Sequence, residues 1–334
     1  MTVRAGGALE VLDPRHDPEP PYWAALAAGA GRRAVWSYDL LRVAAWTARR
    51  PLLLTVVRDD GGAPAAVVCT TLAGLAARGY AATGVPRLGL PTVQVPGSPA
   101  ERGWWFAGSR APAERRALLR RYVRGTRALF GAGRPGVLWL RAGAADLPAV
   151  PGGLRLVRPL HPVARLAAPW EDVDGWYAAL PRSRRADLRR QRRGLSHLDC
   201  RVGPAAALTT GAEAAALLWG NEDKYRAGRF PAPPLALPYL EALVRRPDVL
   251  AVTYRDARER LAGVGLVLDH PRWPLYWRWG ALPARHLYFD AYTRLLEWAI
   301  GAGRAGLVLG KGKPELKASL GAELVPSYAI ATAL

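Results

Sequence analysis

A pattern written twice constrains this chain more than any single motif. Arg49-Arg50-Pro51 opens an apolar run over 52–57 that ends in Arg58-Asp59, turns at Gly61-Gly62 and resumes over 65–70. Arg245-Arg246-Pro247 opens a second run over 249–254 that ends in Arg255-Asp256, turns over 257–260 and resumes over 261–268. Apolar runs of this length around turn residues predict β-hairpins. Each copy then carries a helical pattern, a Gly-Ala-Gly-Arg-x-Gly break (131–136 and 301–306) and a short apolar strand (137–140 and 307–309). A recurring order of elements sets the architecture before any motif does, and here it predicts a duplicated lobe.

The second copy reads in most detail. A helix over 212–226 precedes its hairpin, 274–279 is a third strand, and 287–300 is a helix with Leu287, Ala291, Leu295 and Trp298 at spacings of four and three. After the strand 307–309, Pro314 suits the first turn of a short helix, Gly321 its C-terminal cap, and 324–332 a final strand. The class is α/β with mixed sheets in two tandem lobes. The expected boundaries are a lobe over 1–150, a Pro- and Gly-rich linker over 151–170 and a second lobe over 171–334, with 230–238 as a proline-rich loop.

Composition narrows the setting. At 334 residues and half apolar, the chain can bury a large core, which excludes disorder and a disulfide-stapled mini-fold. Cys69 and Cys200 form no disulfide framework, His197 and Cys200 have no second half as a metal site, and no metal is expected. The most apolar long stretch, 63–85, is interrupted by Arg78 and is short of a spanning helix. The first thirty residues lack the apolar core of a signal peptide. The expectation is a basic, soluble, cytoplasmic protein without a membrane span.

Its basicity is peculiar. Of 47 basic residues only Lys224, Lys311, Lys313 and Lys317 are lysines, so the net charge of +20 is an arginine charge. The wealth of Ala, Gly, Arg and Pro matches a GC-rich genome, so part of that charge is mutational bias. Three lysines within seven residues, where arginine is written almost everywhere else, imply that an ammonium is wanted there.

Two stretches carry a family resemblance. Leu180-Pro181-Arg182-Ser183-Arg184-Arg185-Ala186-Asp187-Leu188-Arg189-Arg190-Gln191-Arg192-Arg193 resembles the basic helix that opens the C-terminal lobe of the two-lobed, Fem-like branch of GNAT-superfamily acyltransferases. From Leu287 to Gly321 a helix, a Gly-rich break, a strand, Gly310-Lys311-Gly312 and Lys317-Ala318-Ser319-Leu320-Gly321 follow in the order of that branch. The resemblance covers about 175–334; over the first lobe it rests on the repeat. It implies two GNAT-like lobes and an acyl or aminoacyl transferase whose co-substrate is acyl-CoA or aminoacyl-tRNA. The acceptor it implies is an amine-bearing small molecule, a peptide or a cell-wall precursor. Lys317 matches the lysine of the Fem-like signature, which holds donor or acceptor charge near the reaction. The pyrophosphate loop of ordinary GNAT acetyltransferases, Arg or Gln, two residues, Gly, one residue, Gly or Ala, is not present over 280–286.

Acyl transfer to an amine needs a deprotonated nucleophile and donors aimed at the developing oxyanion, not a catalytic triad. Lys317, Asp290, Glu222, Asp223 and His286 are the candidates for proton handling and charge. Lys311 and Lys313, with Tyr276, Trp279 and Tyr288, are candidates for binding substrate, although aromatic residues on a strand more often serve as core. Between Arg182 and Arg193 seven arginines accompany one acid, and only Leu188 offers a larger apolar side chain. Arg184, Arg185, Arg189 and Arg192 are therefore candidates for phosphate, possible tRNA included, with solvent and intramolecular acids as the other partners. A second function class stays open: a non-catalytic protein of the same fold that binds RNA or another polyanion through its arginine-rich helices.

Overall fold

The computed structural model describes residues 3–5, 8–48, 51–73, 90–98, 100–130, 136–223, 234–283 and 286–333. The chain divides into two units, Met1–His161 with Pro326–Leu334, and Pro162–Val325.

In the first unit β1 (Val3–Ala5), β2 (Leu9–Leu12), α1 (Trp23–Gly29) and α2 (Tyr38–Thr47) lead into β3 (Leu52–Arg58) and β4 (Pro64–Ala73). β3 and β4 pair antiparallel from Leu52↔Thr71 to Arg58↔Pro64, which is the first expected hairpin. β5 (Leu90–Val93), β6 (Trp104–Phe106), α3 (Pro112–Phe130) and β7 (Gly136–Ala142) follow, and β5 runs parallel to β7. The end of the chain returns to this unit, where Tyr328–Ala333 pairs antiparallel with β7. The basic helix expected over 115–127 lies within α3. It buries Leu118, Leu119 and Tyr122 among Val68, Trp104 and Trp139, an apolar stripe that leaves most of its arginines at the surface.

The second unit is built from β8 (Arg155–Ala167, crossed by the unit boundary), α4 (Val173–Ala179), α5 (Arg182–Gly194), β9 (Asp199–Pro204), α6 (Ala205–Leu208), α7 (Gly211–Asp223) and α8 (Leu237–Val244). β10 (Val249–Arg255), β11 (Leu261–Leu268), β12 (Leu275–Ala281), α9 (Leu287–Gly301), β13 (Gly306–Gly310), α10 (Pro314–Ala318) and the start of β14 (Glu323–Ala333, crossed by the unit boundary) complete it. Its strands run in the order β8-β13-β12-β11-β10-β9, all antiparallel neighbours except the parallel pair β12 and β13.

Two faces cover this sheet. α9 packs Leu287, Ala291, Tyr292, Leu295 and Leu296 against Val252, Tyr254, Val267, Leu307 and Leu309. Each large apolar side chain buried there contributes about 1.5–3 kcal/mol. On the opposite face α7 meets the backbone of β12 at Gly280, and Tyr239 of α8 lies 6.4 Å from the Trp277 ring.

Three expectations shift. The stretch 151–170 contains a strand of thirteen residues, because four of its last residues, Ala164–Ala167, pair with β13 although the strand is largely exposed and shows no apolar run. Of the loop expected over 230–238, residues 230–233 lie outside the described residues and the last two, Leu237 and Pro238, already belong to α8, where Pro238 occupies a first-turn position that needs no amide donor. Of the helix expected over 212–226, α7 is seen over Gly211–Asp223, and 224–226 lie outside the described residues. No helix among the described residues is long and apolar enough to cross a membrane.

Candidate functional site

Among the strand pairs of the second unit's described residues, β12 and β13 run parallel and point their carboxyl ends the same way, the position at which open α/β sheets take ligands. The pair is joined at Leu275↔Val308, with Val308 N–H donating to the Pro274 carbonyl at 2.8 Å. β12 continues to Ala281 along β11, and its register shifts between Leu266↔Arg278 and Val267↔Tyr276. Such bulges re-aim side chains beside active sites.

Sequence places large aromatics on β12, and two small positions on β11 give them room. A Cβ at Gly265 would lie 2.6 Å from Tyr276 Cε2 and 2.8 Å from Val252 Cγ1, and one at Gly263 would lie 3.2 Å from the Trp279 ring. Tyr276 and Trp279 therefore lie down across β11, with Trp279 6.2 Å from the Tyr254 ring. Tyr276 meets Tyr292 at 5.3 Å, and Tyr292 meets Tyr288 at 4.9 Å, its hydroxyl donating to that of Tyr288 at 2.5 Å. Burial and the neighbouring phenol hold the Tyr292 hydroxyl protonated far above its ordinary range. Gly265→Ala is expected to cost about 1–3 kcal/mol by overpacking against Tyr276. Tyr276→Leu in the Gly265→Ala background should recover part of that loss, and a double-mutant cycle of urea midpoints that comes out additive would refute the contact.

The lysines divide in role. Lys317 is 2% exposed, and its Nζ donates to the Leu309 carbonyl at 2.5 Å, tying α10 to the end of β13. Burial pushes its ammonium down to about 8. Lys313 is exposed, and its Nζ lies 5.6 Å from the centre of the Tyr288 ring. Lys311 is half-buried in the turn between β13 and α10.

Asp290, in the first turn of α9, is 3% exposed. Its Oδ2 accepts from the Tyr254 hydroxyl at 2.9 Å and from Arg294 Nε at 3.3 Å, while Oδ1 has no hydrogen-bond partner among the described residues. Cys200 adjoins Tyr254, and burial pushes its thiol up to about 11. Asp290 thus belongs to a buried cluster with Tyr254, Cys200 and Arg294. His286 is exposed at the start of α9 with φ +75°, and its carbonyl receives the amides of Phe289 and Asp290. Glu222 lies on α7, where it accepts from Arg278 Nη1 at 2.8 Å, and Asp223 is exposed beside it. Arg278 and its neighbour Trp277 face α7 and α8, whereas Tyr276 and Trp279 face α9, so these two acids are across the sheet from the aromatic group.

Along α5 the arginines fall into two sets. Arg189 pairs with Asp174 at 3.4 Å, Arg190 with Asp187 at 2.6 Å and Arg192 with Glu297 at 3.1 Å. Arg182, Arg184, Arg185 and Arg193 make no ion pair among the described residues. Arg184 stacks over Phe289 at 4.6 Å with Nε and Nη2 buried and unpartnered, and burial pulls its guanidinium down. The structure therefore brings Lys313, Tyr276, Trp279 and Tyr288 together, with Lys317 at the adjoining strand end and Arg184 on the far side of Phe289. Tyr254, Tyr292, Gly263 and Gly265 complete the group without having been singled out; only the i, i+4 spacing of Tyr288 and Tyr292 signalled one of them. Among the described residues no group of three or more His, Cys, Asp or Glu is placed to hold a metal ion.

No protein-family model and no curated protein matches the sequence. Solved structures do match the fold. The C-terminal domain of a putative lysylphosphatidylglycerol synthetase from Agrobacterium fabrum aligns over 92% of this chain and 90% of its own, at TM-score 0.58 and 12% identity. L-PGS from Bacillus licheniformis aligns over 95% and 92%, at TM-score 0.58 and 12% identity. FemX aligns over 85% and 88%, at TM-score 0.55 and 10% identity. The chain shares the fold of these structures, a mixed α/β architecture that here divides into two compact units.

Proposed function

We propose that this chain is an N-acyltransferase that moves an acyl or aminoacyl group onto an amine acceptor at the β12–β13 junction of its second unit. The observation that carries this reading is Lys317, a buried amine poised near pH 8 at the carboxyl end of a parallel strand pair in a Fem-like fold. Such an amine changes charge in the working range, so it can take up or return a proton as the acceptor nitrogen loses one, and can offset charge on the reacting group. Tyr276, Trp279 and Tyr288 supply an apolar wall that orients substrate and keeps water out. Asp290, in a cluster of its own, serves α9 and Tyr254.

For the donor, aminoacyl-tRNA is the reading we favour over acyl-CoA. Support comes from the four arginines of α5 that make no ion pair among the described residues, from the missing pyrophosphate loop over 280–286, and from the lysyl group in the name of the putative lysylphosphatidylglycerol synthetase that shares the fold. The acceptor is an amine on a small molecule, a peptide or a cell-wall precursor, and the reaction belongs in the cytoplasm, where both donors are made. The test is transfer of label from a charged tRNA pool, and separately from acyl-CoA, to a panel of amines. Label moving from tRNA and lost with Arg184→Gln and Arg185→Gln together supports the reading; label moving only from acyl-CoA overturns the donor.

The same arginines favour a second reading, a polyanion binder without turnover. That protein would show no transfer from either donor, while its RNA affinity would fall steeply between 50 and 200 mM salt.

A further inference from the structure

We propose that the aromatic group around Tyr288 is a binding site for a primary ammonium, and that Lys313 of the chain itself occupies that site. Around the Tyr288 ring stand Tyr292 at 4.9 Å and 75°, Trp279 at 6.0 Å and 57°, and Phe289 at 6.3 Å and 71°. Tyr292 also donates a hydrogen bond to the Tyr288 hydroxyl at 2.5 Å. The electron-rich face of such a ring attracts a cation within about 6 Å of its centre. Lys313 Nζ sits at 5.6 Å from the ring centre, within that reach.

Lys313 is not locked there. It is exposed, makes no ion pair among the described residues, and lies in a turn between Gly312 and Pro314 with φ +50° and ψ +61°. Residues with a side chain rarely adopt that left-handed backbone. Arg184 over Phe289 is different: it is carried by a helix and has buried guanidinium atoms. An exposed amine whose ring contact is the single face of Tyr288 is exchangeable with the ammonium of a ligand, which offers the same charge and hydration. Swinging the lysine out costs its contact with the Tyr288 ring.

A ring-held ammonium keeps its proton, since the attraction is for the cation. The amine that attacks an acyl group must be neutral, so it is a second one. The acceptor class is therefore a molecule with a primary ammonium in addition to its reacting amine. Naming it an acceptor rests on the transferase reading above; the binding site does not.

The test is calorimetric titration of the full chain, without any acyl donor, with 1,5-diaminopentane, butylamine and 1,5-pentanediol. Lys313→Ala removes the internal competitor and is expected to tighten both amines about 3- to 10-fold. Tyr288→Phe keeps the ring and should bind within about twofold of the parent, Tyr288→Leu should lose about 10-fold, and the diol should not register. The site is overturned if Lys313→Ala leaves amine affinity unchanged or weaker, if Tyr288→Phe loses as much as Tyr288→Leu, or if the diol binds as well as the amines. Should Tyr288→Leu fail to fold, the comparison of Lys313→Ala with the parent decides alone. Transfer assays run in parallel separate the two readings. Amine binding without transfer from either donor sinks the transferase and leaves the site; transfer without amine binding sinks the site.

Discussion

Lys317→Met is expected to lower kcat/KM by about 10²-fold or more while the chain still folds, because methionine fills the buried stem of the lysine without its charge. The same variant should change how stability depends on pH. Below about 8 the ammonium is present in both the folded and the unfolded chain, and the folded state bears the whole cost of burying it. From about 8 up to the ordinary value of 10.5 the unfolded chain keeps a proton that the folded chain has released, so stability rises with pH. The gain amounts to about 3 kcal/mol across that window and is flat on either side. Since methionine has no proton to release, the parent should gain on the variant by that amount between pH 7 and pH 10.5, read from urea midpoints. Lys317→Arg should not restore turnover, since guanidinium stays charged and fits the site poorly. Parallel stability curves together with turnover within threefold of the parent would remove Lys317 from the mechanism.

Gly280→Ala is the substitution expected to cost most for a single methyl group. The added Cβ would lie 2.5 Å from the Leu218 amide nitrogen and 2.6 Å from the Leu217 carbonyl oxygen. These are backbone atoms of α7, which no rotamer change can move. The helix must lift off β12, which strains the Glu222–Arg278 pair at 2.8 Å and the hydrogen bond from Asn221 Nδ2 to the Trp279 carbonyl at 3.0 Å. A loss of about 3–4 kcal/mol is expected, in the range reserved for overpacked cores. Gly301→Ala is the control with the opposite sign. A Cβ there meets nothing within 4 Å, and the position closes α9, so alanine should gain up to about 1 kcal/mol. Equal urea midpoints for the two variants would show that α7 does not rest on β12 in this way.

Much of the second unit was legible in the amino-acid order. Both strands of each hairpin are apolar runs around turn residues, and they pair as that pattern implies. The 3.6-residue stripe of α9 and the Pro-to-Gly frame of α10 are local signals, and both helices form where those signals lie. β8 and β9 were not legible. Their residues are largely half-buried or exposed, so they show no run or stripe, and they become strands by pairing with β13 and β10. The return of 328–333 to β7 was equally hidden, because a strand's partner depends on register and burial across the whole chain.

The candidate site divides along the same line. Scarcity of lysine in an arginine-rich chain was enough to single out Lys311, Lys313 and Lys317, and β12 was visible as an aromatic strand. The order of residues thus determined the elements, the repeat and the chemistry on offer, since propensity, period and composition are properties of neighbours in sequence. Tertiary structure alone decided that Lys317 is buried against the Leu309 carbonyl, that Asp290 accepts from Tyr254 and Arg294, that Glu222 lies across the sheet beside Arg278, and that Lys313 rests on Tyr288. Solvation, proton affinity and ring contact are set by what surrounds a side chain in space, and those surroundings come from strands and helices far apart in the chain.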